Sequence, residues 1–524
     1  MTDAPHAGWG VMAALGIMLV VSGAVGIAAQ RAVERGSFLK GFFLGNRGLG
    51  VWTMALTATV QSGGTFMGVP SLIYSHGWIV ALWIGSYMLV PLTGFAVLGK
   101  RLGQLSRRTS AITIPDLFRG RFDHPTIGLV TSLLIMFYMS FMMVAQFKAG
   151  AILMQLSIPG AHEMSMGEDV QASLEMDYYV GLAVFAVTVV GYTMMGGFLA
   201  SVWTDLFQSV LMLIGVMVLL LLTVPAAGGL EHATRVAVTN TGPAFAFGPG
   251  YTTDGHEFLP IGAAVSMFFV WIYAGMASPA SMVRVMASKD TATLRRSIFC
   301  LSTYNLFIYI PLICICIAAR SIIPDLPPEK SDQIIPRMAL WSTHGLPAGS
   351  LIAGIILSAP FGAVMATVSA FLIVMASAIV RDVYLRFINP EASEKQIRRM
   401  THVSLALLGV GGVAAVIYPP NYLQALIVFG STCGASSLLW PAVMACYWRR
   451  ATAAGAMAAM LGGSATVWVL YSIGWTTTHA FRPYLLWGLE PMVYGLAVSG
   501  VLGFAVSLLT TPPSEEHVSR LFDG

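Results

Sequence analysis

Residues 196–216 read GGFLASVWTDLFQSVLMLIGV. Apart from Asp205 and a few hydroxyl and amide side chains, the run is apolar enough to sit in lipid. An aspartate near the middle of a membrane helix costs about 2.5–3.5 kcal/mol on insertion scales, so the position needs a partner or a use. Ser201, Asp205, Gln208 and Ser209 fall at i−4, i, i+3 and i+4, which places them on one helical face. Leu206, Phe207, Val210 and Leu211 take the other faces. The polar stripe therefore turns toward a helix bundle, and the run reads as one span of a polytopic membrane protein.

The rest of the chain agrees. Its 524 residues are 56% hydrophobic and only 10% charged, against about 25% charged in a soluble domain. Mean hydropathy is +0.76. Many apolar runs have the length of about 20 residues that a helix needs to cross a bilayer, and none shows the alternation of a barrel strand. The first run follows MTDAPHAG, which has no basic residue, so it reads as a retained helix and not a signal peptide. The five cysteines lie scattered in apolar helices and imply neither disulfide nor metal site.

Thirteen spans are expected, near 8–30, 50–74, 77–99, 125–156, 178–195, 198–224, 258–283, 295–319, 347–380, 400–417, 420–447, 452–473 and 487–510. With the N-terminus outside, only Arg235, Arg320, Lys330, Arg337 and Arg482 of the 28 basic residues fall on the outer side, and Lys148 lies within a span. That bias fits the positive-inside rule and predicts a cytoplasmic C-terminus. The expected division is an extra N-terminal helix (1–36), a transport core (37–450), two accessory helices (451–510) and a cytoplasmic tail (511–524).

Two spans are interrupted. The second, VWTMALTATVQSGGTFMGVPSLIYSHG, is weakened at Gly63 and Gly64 and holds Gln61 in a Thr- and Ser-rich centre. The seventh, FLPIGAAVSMFFVWIYAGMASPASMVR, carries Gly275, Ser278 and Pro279 past its midpoint. Unwound backbone at membrane depth is tolerated where it lines a cavity. The breaks are five spans apart, so spans two to six and seven to eleven predict an inverted repeat, with the breaks marking a transporter's binding site. Glycine and proline also mark close packing in membrane helices, which is the plainer reading of either break alone.

GGFLASVWTDLFQSVLMLIG resembles the motif of the sodium:solute symporter family, in which Gly-Gly, an aromatic-Thr-Asp and a Gln recur at this spacing. FFLGNRGLG and IILSAPFGAVMATVSAFLIVMASAIVRDVYLRF resemble further segments of that family. MALTATVQSGGTFMGVPSLIYSHG with GKRLGQLSRRTSAITIPDLF is most similar to its sodium/pantothenate branch. The resemblance spans about residues 37–450. It implies an all-α, leucine-transporter-type five-plus-five inverted repeat that works by alternating access. It also implies a Na⁺ site using carbonyls of Ala58, Gln61 and Ala363 and the hydroxyl of Thr367. Residue 366, where the family usually has Ser, is Ala. Ser369 with Asp205 resembles a second, less common Na⁺ site. The missing hydroxyl keeps H⁺ coupling, or none, as the alternative to Na⁺, because a buried carboxylate without a nearby cation can carry a proton.

For the substrate, Gln61, Ser62 and Thr65 in the second span and Trp271, Tyr273 and Ser278 in the seventh are the expected contacts. The two aromatics read more readily as packing or interface residues. Lys148, in the outer half of the fourth span, reads as a counter-ion for a carboxylate, or as a snorkelling side chain paired to a neighbour. His76 and Glu490 read as interface residues. The ten histidines are scattered, with no HExxH or GxSxG, which argues against a membrane enzyme. There is no P-loop motif and no soluble output domain. The expectation is a secondary active transporter of the cytoplasmic membrane. It takes up a small organic solute with Na⁺, a carboxylate such as pantothenate or a monocarboxylate, and needs neither nucleic acid nor an oligomeric partner, only lipid around it.

Overall fold

The computed structural model describes residues 7–33, 38–57, 62–159, 168–251, 259–417 and 423–523. Helices account for nearly all regular structure there, with one isolated bridge between Leu49 and Ser288. Among the described residues, eight helices are long and apolar enough to cross a membrane, or ten if each of two bent pairs is one span. That is fewer than the thirteen expected. Part of the difference lies in the helix Glu168–Ala226, which runs through both the fifth and sixth expected spans. Its membrane-length portion, Met176–Ala226, has 51 residues, about 77 Å as a straight rod, over twice the hydrocarbon core of about 30 Å. It breaks at Gly197, whose φ of 54° and ψ of −136° suit glycine alone. A Cβ there would lie 2.7 Å from Phe42, and one at Gly196 would lie 2.9 Å from the Gly26 carbonyl. The two glycines that open the quoted stretch therefore make a kink and a close approach to the first helix, Trp9–Val33.

Helix ends are closed by local side chains. Asp290 accepts from the Thr293 N–H at 2.7 Å at the start of Thr291–Ile322. Ser393 and Gln396 form a reciprocal capping box at Glu394–Ala415. His124 is extended before Pro125, and proline at the first helical position costs no hydrogen bond. The centre of the molecule is the helix Gly349–Ser377, which continues as a π-helix to Ile388. Its membrane-length window is 94% buried, as expected for a helix apolar on every face. It packs against Trp9–Val33, Glu168–Ala226 and Pro125–Gln155.

The two interrupted spans lie side by side. The seventh consists of Ile261–Ala277 and Pro279–Ala287, bent by 44° at Ser278. The second begins with Val51–Thr57 and resumes as Gly64–Gly68 and Val69–His76. Leu49 donates to the Ala287 carbonyl at 3.2 Å and accepts from the Lys289 N–H at 3.1 Å, which ties the two spans at the same end. The last two membrane-length helices, Ala453–Thr478 and Pro491–Leu509, pack through glycines at 455, 462 and 503, as small residues allow between membrane helices. Glu490 is 3% exposed, and its N–H donates to Ser266 Oγ at 3.1 Å.

Candidate functional site

The backbone freed at the second-span break is satisfied by side chains, as buried polar groups require. Ser62 N–H donates to Thr65 Oγ1 at 3.3 Å, and Gly64 N–H donates to Ser62 Oγ at 3.1 Å. Ser62 thus caps the second half-helix. Gly63 N–H reaches across to Gln146 Oε1 on the long helix Pro125–Gln155, at 2.7 Å. A Cβ at Gly63 would meet Ala149 at 2.8 Å, so that approach needs glycine.

Both breaks open on one cavity. Ser62 and Thr65 line it from the second span, Trp271 and Ser278 from the seventh, and Gln146 and Thr367 from the helices between. Its aromatic wall is a stack. Tyr87 lies between Trp271 and Tyr309, with ring centroids 4.8 Å apart on each side. Thr65 Oγ1 is 3.5 Å from the Tyr309 hydroxyl. No charged side chain lines the cavity among the described residues. A second cavity shares Met142, Ser278, Phe371 and Ser431 with it and runs on to Tyr138 and Leu438.

Of the expected substrate contacts, Ser62, Thr65, Trp271 and Ser278 meet here. Gln61 and Ala58 lie outside the described residues. Tyr273 is not among the lining residues and stacks on Phe269, which is 39% exposed. Lys148 is buried but also not among them. It interacts electrostatically with Asp332, in the loop helix Pro328–Gln333. Burial pushes the Asp332 carboxyl up, and the Lys148 ammonium and a hydrogen bond with Ser71 pull it back. The same loop is fastened to the second span by Ser331 Oγ and Ser71 Oγ, 2.6 Å apart. Gln146, Tyr87 and Tyr309 were not expected. Each is a lone polar or aromatic residue in an apolar run, and local pattern does not separate such a residue from packing.

The expected ion ligands fall in two groups. Thr367 Oγ1 donates to the Ala363 carbonyl at 2.9 Å and lines the cavity. Ser369 Oγ bonds the Ala366 carbonyl at 3.0 Å and Ser201 Oγ at 2.8 Å. Ser201 stands one turn before Asp205, so the polar stripe does face this central helix. Asp205 is 3% exposed, and its Oδ2 accepts from Arg284 Nη2 at 2.6 Å, an ion pair buried on both sides. Arg284 sits on the half-helix Pro279–Ala287, beyond the seventh-span break. Asp205 Oδ1 has no hydrogen-bond partner among the described residues. Ser209, one turn on, donates to the Leu56 carbonyl at 2.7 Å, at the end of the first half-helix of span two. The oxygens present are hard donors beside a half-helix C-terminus, the kind of setting in which coupling cations are held.

Paired broken helices around a shared, largely neutral cavity define a secondary transporter of the broken-helix class. Residues 42–463 match the model of the Sodium:solute symporter family. The chain is 31% identical to the sodium/pantothenate symporter of Escherichia coli (strain K12), over 93% of this chain and 94% of that one. It is 25% identical to the sodium/proline symporter of the same strain, over 92% of this chain and 91% of that one. Its fold is similar to that of a Na⁺-coupled sialic acid symporter solved substrate-bound and outward-open, with a TM-score of 0.72 at 19% identity, over 97% and 99% of the two chains. The chain belongs to the sodium:solute symporter family and has its leucine-transporter-type fold. It is a multi-pass membrane protein and a sodium-coupled solute symporter. Membership of this family makes Na⁺ the coupling ion.

Proposed function

We propose that this protein takes up a small organic carboxylate together with Na⁺ across the cytoplasmic membrane, with its N-terminus outside and residues 37–450 as the transport core. The observation that supports this best is the cavity at the two breaks, which offers polar donors and an aromatic stack at the meeting point of both repeats. The relatives named above carry pantothenate and proline, both carboxylates, and the higher identity favours the first as the probe.

Na⁺ binds between Ala58 and Gln61, which follow the first half-helix in the sequence, and the Ala363 carbonyl and Thr367 hydroxyl. Thr367 also lines the cavity, so the cation and the substrate lie close together, and the ion's charge offsets the carboxylate's. Ser62, Thr65 and Ser278 present hydroxyls, and Trp271, Tyr87 and Tyr309 close over the apolar part. The half-helices tied together at Leu49 and Ala287 rock as a unit against the helices Pro125–Gln155 and Gly349–Ser377. Release follows the second cavity toward Tyr138. Asp205 Oδ1 and Ser369 receive the ion on its way out.

Uptake of radiolabelled pantothenate and proline into proteoliposomes, with Na⁺ and pH gradients imposed separately, tests the proposal. Accumulation should follow the inward Na⁺ gradient. Uptake of neither acid under any gradient would sink the carboxylate reading.

A further inference from the structure

Gln146 carries a donor that none of the described residues uses. The side chain is fully buried, and its Oε1 is held by the Gly63 N–H at 2.7 Å. That bond settles which end of the amide is which, because a backbone N–H needs the oxygen and would be repelled by the NH₂. Nε2 is then left without a hydrogen-bond partner among the described residues, in a side chain that lines the cavity. A buried N–H donor without an acceptor is unfavourable, and a ligand oxygen removes the deficit. Ser62 is next to it in the chain's logic. Its Oγ accepts from Gly64 N–H, and its own hydrogen has no acceptor among the described residues. Lys148, the only cation on the same helix near this depth, lies two residues on, about 200° around the helix, and answers to Asp332.

We infer that Gln146, on the cavity wall, recognises the substrate's carboxylate through the amide N–H donors that its bond to Gly63 leaves over. The inference rests on the carboxylate reading above and names the residue that reads it. It has a mechanical consequence. One face of the Gln146 amide holds the broken helix and the other holds the substrate, so a bound carboxylate stiffens the joint between the second span and the helix Pro125–Gln155.

The test uses full-length protein in proteoliposomes under an inward Na⁺ gradient. The probes are radiolabelled pantothenate, radiolabelled proline and the primary-amide analogue of whichever acid the wild type takes up. Gln146→Glu keeps an acceptor for Gly63 N–H but replaces the donor. Gln146→Leu removes both. KM should rise by about tenfold or more for the acid in both variants, the loss of one well-placed hydrogen bond to a charged group. Gln146→Glu should also shift the acid-to-amide preference toward the amide, which brings its own N–H donors. KM and this ratio are read on the folded fraction, so a lower yield does not mimic either. A wild-type KM and ratio in Gln146→Glu would overturn the role of Gln146 and leave it as a brace for Gly63. Wild-type protein that takes up neither acid would instead overturn the carboxylate reading beneath it.

Discussion

Asp205 stands in a helix where a lone charge is expensive, and the structure answers it with Arg284, 79 residues further on. Such a pair is weak evidence for stability, but removing one member leaves a buried, uncompensated charge worth about 3–5 kcal/mol. Arg284→Met should therefore lower the melting temperature and the yield of folded protein, and Asp205→Asn should do the same. The double variant Asp205→Asn/Arg284→Met should recover most of the stability. Its apparent Na⁺ affinity should remain impaired, because the Asp205 carboxylate charge is lost with the pair. A double variant with wild-type Na⁺ dependence would reduce Asp205 to a partner for Arg284. Lys148 makes the complementary case. Lys148→Met should leave the KM for a carboxylate unchanged, whereas Asp332→Asn should destabilise the protein by stranding the ammonium. A raised KM in Lys148→Met would restore the counter-ion reading of Lys148.

At the scale of elements, the kink at Gly197 and the break at Gly63 do different work with the same residue type. Gly197 needs a backbone conformation closed to other residues. Gly197→Ala adds strain of about 1–3 kcal/mol and a clash with Phe42, so little folded protein should survive detergent extraction, as read by size-exclusion chromatography. At Gly63 the backbone is ordinary and space is the limit, set by Ala149 and Gln146. Gly63→Ala should push Gln146 off its bond and raise KM, and the melting temperature should fall as well, because Ala149 Cβ cannot swing aside. These glycines were readable as interruptions from the sequence. Their separate roles were not, because a positive φ and a close neighbour leave the same letter.

Over the whole molecule, the tail helix Glu515–Phe522 fastens elements distant in the chain. Arg449 makes two bonds of 2.7 Å to Asp523, and His517 Nε2 lies 3.1 Å from the Arg121 carbonyl. Arg121 is itself buried and donates to the Ala445 and Trp448 carbonyls at 3.0 and 2.9 Å, with its guanidinium over the Phe122 and Phe522 rings. Deleting residues 511–524 should lower the melting temperature and leave the substrate KM unchanged, since none of these groups lines the cavity. A changed KM would mean that the tail acts on the transport core.

Composition, apolar run length and the asymmetry of basic residues determined that the chain crosses a membrane many times, and the spacing of two Gly- and Pro-marked breaks pointed to the cavity that both breaks line. Those features are local, since each helix makes its own backbone hydrogen bonds and advertises its lipid face by its own periodicity. Which polar side chains meet was decided only by the tertiary structure: Asp205 with Arg284, Lys148 with Asp332, Gln146 with Gly63, and Tyr87 between Trp271 and Tyr309. Each pairing depends on the rotation and depth of one helix against another. Packing sets those quantities, and no single helix encodes them.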